Sequence, residues 1–192
     1  VMCIAIIEDV NNDEEQDVVV GTDYPDPGVK CLSGETGALL WSYSTLSTIS
    51  CHMYGVYSVC PINDVSGDGK PDVVAGTEML TTRRGVLCLN GADGSLIWSF
   101  EFDGIMVCSV INIGDVDKDA KDDIVAISNL VDGQFGVFCI SGCSGTLIWQ
   151  LTGPGSVDWH RSDRIGDIDG DQTSEVVVCI NGTNILCLNG QM

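Results

Sequence analysis

Apolar residues run along the chain in short bursts broken by glycine and by acidic stretches, and nowhere do they recur at the three-to-four spacing of an amphipathic helix. The runs DVVVG (17–21), DVVAG (72–76), DDIVAI (122–127) and EVVVCI (175–180) are short and β-branched, the composition of strands. After each comes a variable connection and a second apolar run built around a cysteine: VKCLSG with Cys31, VLCLNG with Cys88, VFCISG with Cys139 and ILCLNG with Cys187. In the first three cases a glycine-paired turn and a Leu/Ile-Trp run follow, as SGETGALLW (33–41), NGADGSLIW (90–98) and SGCSGTLIW (141–149). Paired glycines permit the positive φ angles of a tight hairpin, and the Trp run reads as the strand that completes it.

The order of these parts is the same each time, which makes the chain a repeat. An acidic loop opens before each β-branched run, at Asp9, Asp64, Asp115 and Asp167, and these starts lie 55, 51 and 52 residues apart. That period is too long for one leucine-rich or ankyrin unit and close to that of a four-stranded propeller blade. The predicted fold is therefore all-β, with four-stranded antiparallel repeats of about 52 residues: strand A before the acidic loop, B after it, C with the cysteine and D with the tryptophan. The expected blades are 1–50, 51–103, 104–154 and 155–192 within a single propeller region. The fourth stops at NGQM, where its D strand is due, so the chain is expected to be part of a larger propeller.

Charge narrows the function. The 28 acidic residues against 8 basic ones give a net charge of −20, a field that repels phosphate backbones and anionic lipid. Nucleic acid is not an expected partner, and no run is long enough to insert into a membrane. The ten cysteines include no C-x-x-C pair; the four repeated ones read as small buried hydrophobes. Cys51 with Cys60, and Cys139 with Cys143, are close enough in sequence to be disulfide candidates.

Of the 28 acids, 17 fall in the loops DVNNDEEQD (9–17), DVSGDGKPD (64–72), DVDKDAKDD (115–123) and DIDGDQTSE (167–175). Positions 1, 5 and 9 are carboxylates in every copy, and position 3 always carries a side-chain oxygen. Alternate positions of a curled loop point inward, so oxygens from 1, 3, 5 and 9 with the carbonyl of 7 can surround one hard cation. Calcium suits such an all-oxygen cage, whereas zinc or copper would call for imidazole or thiolate. An EF-hand is excluded because its position 12 must be a chelating Glu, and here Val20, Ala75, Ala126 and Val178 stand there, inside strands. Loops 3 and 4 offer four carboxylates each and loops 1 and 2 three, so the former pair is expected to hold calcium more tightly.

These loops resemble those of FG-GAP/VCBS-type repeats, the calcium-binding blades of integrin α-subunit propellers and of many bacterial and archaeal surface proteins. The resemblance implies the ligand sets Asp9, Asn11, Asp13 and Asp17; Asp64, Ser66, Asp68 and Asp72; Asp115, Asp117, Asp119 and Asp123; and Asp167, Asp169, Asp171 and Glu175. Position 7 would add the carbonyls of Glu15, Lys70, Lys121 and Thr173. Glycine stands at position 6 only as Gly69, a departure from the family pattern. The Gly-x-x-Gly-x-Leu-x-Trp half resembles the tryptophan-docking turns of pyrroloquinoline-quinone-type propellers.

The two histidines, His52 and His160, have no spacing that would make a catalytic triad or a metal pair, so an enzyme is not expected. The leading expectation is a noncatalytic calcium-binding scaffold or adhesion module, extracellular or on a cell surface. Its face opposite the calcium loops, with His52, Trp159, His160 and Arg161 in connections from D to A, would take a protein or glycan ligand. One alternative is a calcium-dependent propeller enzyme, a polysaccharide lyase or a quinoprotein. Another is a structural subunit that self-associates by strand addition at the unfinished fourth blade. Asn181-Gly-Thr183 is both a glycosylation sequon and a hairpin turn.

Overall fold

In a computed structural model, residues 1–45, 55–78 and 85–191 are described, without the side chains of 159–161. The first sheet is β1 (Cys3–Ile7), β2 (Asp17–Thr22), β3 (Gly28–Leu32) and β4 (Leu39–Ser44). The second is β5 (Val56–Ile62), β6 (Asp72–Thr77), β7 (Val86–Leu89) and β8 (Leu96–Phe100). The third is β9 (Gly104–Gly114), β10 (Asp123–Leu130), β11 (Gln134–Ile140) and β12 (Leu147–Pro154). The fourth has three strands, β13 (Val157–Ile165), β14 (Glu175–Ile180) and β15 (Asn184–Leu188). Pairing between these strands is antiparallel and joins sequence neighbours, an isolated antiparallel bridge ties Glu78 to Met106 of β9, and the first strands β1, β5, β9 and β13 lie side by side in that order. Among the described residues there is no helix, and so none long and apolar enough to cross a membrane.

Because side chains alternate across a strand, the β-branched runs of the two middle sheets each feed two interfaces. Val73 and Ala75 of β6 pack against the first sheet with Ile7, Val19 and Cys31, while Val74 and Cys88 face the third sheet with Ile124 and Phe138. Val125 and Cys139 then meet Val176 and Val178 of the fourth sheet. Such side chains contribute roughly 1.5–3 kcal/mol each when fully covered, so these stacked faces are the chief stabilisers of the array. The repeated cysteine is part of them: Cys31, Cys88 and Cys139 are buried, and burial, with Asp17 nearby, pushes the Cys31 thiol up to about 12. Their counterpart Cys187 is exposed on the outward face of the fourth sheet.

The turns tie sheet to sheet. Trp41, Trp98 and Trp149 each donate their indole N–H to a glycine carbonyl of the next sheet's turn, Gly91, Gly142 and Gly190, all at 2.7 Å. A β-carbon on Gly94 would lie 2.5 Å from the Trp41 ring, and one on Gly145 2.7 Å from that of Trp98. The second glycine of the turn is thus fixed by the docked tryptophan as well as by its positive φ.

The structure corrects two expectations. Trp159, His160 and Arg161 do not lie in a connection between blades; their backbone belongs to β13, and the register shift between Val157 and Ser162 takes up the extra residues. Cys139 and Cys143 are not paired: the first is buried between sheets and the second exposed in the turn. Cys51, His52 and most of the 77–84 connection lie outside the described residues, as do the side chains of Trp159, His160 and Arg161. Asn181 and Gly182, both at positive φ, make the hairpin turn between β14 and β15.

Candidate metal centre

Each acidic loop joins the first strand of a sheet to the second, so the four sit at the same end of successive sheets. Their backbones are alike despite different sequences. Positions 4 and 6 are left-handed in all four loops: Asn12 and Glu14, Gly67 and Gly69, Lys118 and Ala120, Gly170 and Gln172. Glycine is therefore not required at position 6 to set this curl, although Ala120 holds its φ of 69° at a steric cost.

What sets the curl is the position-1 carboxylate, which gathers the loop's amides. Asp64 accepts from Gly67 at 2.6 Å, Asp68 at 3.1 Å and Gly69 at 2.8 Å; Asp9 does the same with Asn12, Asp13 and Glu14. Desolvation acts against the charge on Asp64, but the amides of Gly69 and Gly67 with the Ser66 hydroxyl hold its carboxyl below the usual range. The position-5 carboxylate accepts the amide of position 7 in every loop, at 2.9 Å for Asp13 and 2.8 Å for Asp68, Asp119 and Asp171.

Position 9 is buried in all four loops. In the first three it is an Asp that clamps the loop to the turn of its own sheet. Asp123 accepts from Val116 at 2.7 Å with one oxygen and from Gly142 at 3.0 Å with the other; Asp72 and Asp17 repeat the pattern with Val65 and Gly91, and with Val10 and Gly34. Desolvation raises Asp72 and Asp123 above the ordinary carboxylate range, against the pull of these amides. In the fourth loop Glu175 accepts from Ile168 at 2.9 Å through Oε2, while its Oε1, in a side chain only 3% exposed, has no hydrogen-bond partner.

The carboxylates converge to different degrees. In loop 4 one oxygen from each of Asp167, Asp169, Asp171 and Glu175 lies within 4.8 Å of the others, and in loop 3 the same holds for Asp115, Asp117 and Asp123. Asp119 does not join that group. Among the described residues, Asp9, Asp13 and Asp17 form no such group, nor do Asp64, Asp68 and Asp72. In loop 1 the amide of Asn11 bridges instead, donating to Asp13 at 2.8 Å and Asp17 at 3.5 Å. In loop 2 Ser66 donates to Asp64 at 3.3 Å.

Two participants escape a reading of the loops alone. In three of the four sheets the residue that opens the glycine turn reaches the acidic loop of its own sheet: Asn189 donates to Asp169 at 2.7 Å and Asp171 at 2.8 Å, Asn90 to Asp68 at 2.8 Å, and Ser33 to Asp13 at 3.3 Å. Its repeated Ser/Asn identity at a fixed phase was the available signal. Thr173, through its hydroxyl and then its amide, and next Asn189 hold Asp171 below the usual range. The other participants are lysines. Lys70 Nζ of loop 2 donates to the Asp9 carbonyl of loop 1 at 2.7 Å, and Lys121 Nζ of loop 3 donates to the Asp64 carbonyl of loop 2.

Stacked antiparallel sheets in sequence order, with loops at one end and tryptophans docked between neighbours, define a run of β-propeller blades. Residues 64–126, from the start of loop 2 into β10, match the FG-GAP-like repeat. Among solved structures the chain is similar to the rhamnogalacturonan lyase YesW, at a TM-score of 0.59 and 13% identity over 97% of this chain and 42% of that one. It is also similar to the Dos1 propeller, at a TM-score of 0.54 and 14% identity over 88% of this chain and 40% of that one. The chain thus spans about two fifths of these structures, and at such identities they show the fold alone. No curated protein matches the sequence.

Proposed function

We propose that this chain is a calcium-binding propeller scaffold whose acidic loops take calcium and whose blades are stiffened by it, and that it serves outside the cell as a noncatalytic binding module. One observation carries the metal reading: in loop 4 four carboxylates converge, and one of them, the buried Glu175, has an oxygen, Oε1, with no hydrogen-bond donor. A buried carboxylate oxygen without a donor is costly, and a cation offsets that cost where a water-free apolar wall cannot. The donors are all oxygens on a flexible loop, the set that suits calcium. Asp167, Asp169, Asp171 and Glu175 would hold the ion, which supplies positive charge to the loop and no redox chemistry. Loop 3 presents a similar, smaller group, and loops 1 and 2 share its backbone curl. Support for a module outside the cell is indirect, from the FG-GAP-like match and the excess of acid, which calcium-rich surroundings would neutralise.

The test is calcium titration by calorimetry on the chain and on Glu175→Gln, with melting followed in calcium and in chelator. Binding that the variant weakens, together with a lower Tm in chelator, is the expected result. A chain that binds no calcium and melts alike in both conditions is not this scaffold.

A further inference from the structure

The lysines at position 7 occupy an unusual place, since each belongs by its backbone to one acidic loop and by its ammonium to the loop before it. Asp68 accepts the Lys70 amide at 2.8 Å, and Lys70 Nζ donates to the Asp9 carbonyl at 2.7 Å. Asp119 accepts the Lys121 amide at 2.8 Å, and Lys121 Nζ donates to the Asp64 carbonyl. Asp9 and Asp64 are the residues whose carboxylates gather the amides of loops 1 and 2. The chain of contacts therefore runs from position 5 of one loop, through a lysine, to position 1 of the preceding loop. The lysine series stops at the fourth: Thr173 at position 7 is buried and turns its hydroxyl back to Asp171, and among the described residues loop 3 meets loop 4 through the charge of Lys118 near Asp171, with no hydrogen bond between the loops.

We infer that Lys70 and Lys121 are positioning residues that couple calcium binding in adjacent loops, so that occupancy of loop 3 favours loop 2 and occupancy of loop 2 favours loop 1, with loop 4 outside the series. The inference rests on the calcium reading of the loops. An ion drawn to position 5 fixes the backbone of the lysine two residues on. The fixed lysine then needs less ordering to hold the first residue of the neighbouring loop, and the coupling is reciprocal by linkage. Lysine also brings a positive charge toward the neighbouring site, which by itself weakens calcium there. A double-variant cycle separates the two, because the direct charge effect of removing the lysine cancels in the difference.

The experiment is amide hydrogen exchange, by mass spectrometry of the whole chain across a calcium titration, reading for each loop the calcium concentration that half-protects its amides. Asp68→Asn keeps an acceptor for the Lys70 amide while removing a charged ligand, and it is expected to raise the half-protecting concentration of loop 1 by about fivefold, the lower range of typical couplings. In the Lys70→Met background the same change should leave loop 1 where Lys70→Met alone puts it. Asp119→Asn should act likewise on loop 2 through Lys121, and Asp171→Asn, at a residue that meets loop 3 through the charge of Lys118 and no hydrogen bond, should move loop 3 less. The coupling is overturned if Asp68→Asn leaves loop 1 unmoved in the presence of Lys70, if its shift persists in the Lys70→Met background, or if Asp171→Asn shifts loop 3 as far. In those cases the loops still gain protection with calcium. If no loop gains protection at any calcium concentration, the calcium reading itself fails and the coupling falls with it.

Discussion

Loops 3 and 4 share their length, their curl and carboxylates at positions 1, 3, 5 and 9, yet they use the buried carboxylate at position 9 differently. Both oxygens of Asp123 accept from backbone amides and so join its loop to the glycine turn, whereas Glu175 accepts from one amide and leaves its other oxygen without a donor. One methylene separates the two side chains. The shorter one is a structural clamp in the metal-free fold, and the longer one has an oxygen to offer a cation. The difference extends to position 7, where Lys121 reaches a neighbouring loop and Thr173 turns back into its own. Loops 1 to 3 are thus joined by lysine hydrogen bonds, whereas loop 4 meets loop 3 through the charge of Lys118 near Asp171.

The sharpest way to break this comparison is to remove the clamp without calcium present. Asp123→Ala strands the amides of Val116, Asp117 and Gly142, and at roughly 1–3 kcal/mol for each buried group left unpaired the loss should be about 3 kcal/mol or more. Glu175→Gln under the same conditions should cost little, because the amide replaces an oxygen that has no donor. Denaturant unfolding in chelator measures both, and equal losses would mean that the two carboxylates play one role. Adding calcium should reverse the order of interest. At a hundredfold excess over its dissociation constant one bound ion stabilises the fold by about 2.7 kcal/mol, a gain that Glu175→Gln should largely lose and that shows as a reduced rise in Tm.

Much of this was legible in the sequence, for a physical reason. The period, the strands and the phase of the acids all follow from local chemistry that repeats, so four imperfect copies reinforce one another. What escaped was what depends on contact between copies. Lys70 and Asp9 lie in different loops, and nothing in the spacing says that a side chain at position 7 reaches a carbonyl of the loop before it. Glu at position 9 looks like a conservative exchange for Asp until burial shows one oxygen unpaired. Residues 159–161 read as a connection because their mixed polar composition suits a surface loop, whereas β13 runs through them, with pairing to β14 on either side at Val157 and Ser162. Ala120 at position 6 departed from the expected glycine, and the hydrogen bonds to Asp115 supply the turn in its place.

The tryptophan docks bear on the same contrast, since they join sheets whether or not the loops are linked. Trp98→Phe keeps an aromatic ring, though a smaller one, and removes the bond to the Gly142 carbonyl, and Trp149→Phe does the same at Gly190. Each should cost about 1–2 kcal/mol, the value of a buried hydrogen bond and its orphaned acceptor. The two costs should be alike if docking is independent of the clamp. A clearly larger loss for Trp98→Phe would show that Asp123, which holds the Gly142 amide, and the docked indole act as one unit.

The smallest effect concerns the backbone that loops 3 and 4 share. Ala120 sits at a φ of 69° and Gln172, its counterpart, at 74°, where a β-carbon crowds the following carbonyl at a cost of about 1–2 kcal/mol. Glycine relieves that crowding, and its greater freedom in the unfolded chain returns part of the gain. Ala120→Gly and Gln172→Gly should each stabilise the chain by about 0.5–1 kcal/mol, read as a rise in the denaturant midpoint with an unchanged slope. The side chain at position 6 makes no contact that the loops rely on, since both amides are held by the position-1 carboxylates Asp115 and Asp167 at 2.9 Å. Equal gains at the two positions would show that the curl is set by those carboxylates alone. A gain at Ala120 without one at Gln172 would mean that loop 4 is held in its shape by something that loop 3 lacks.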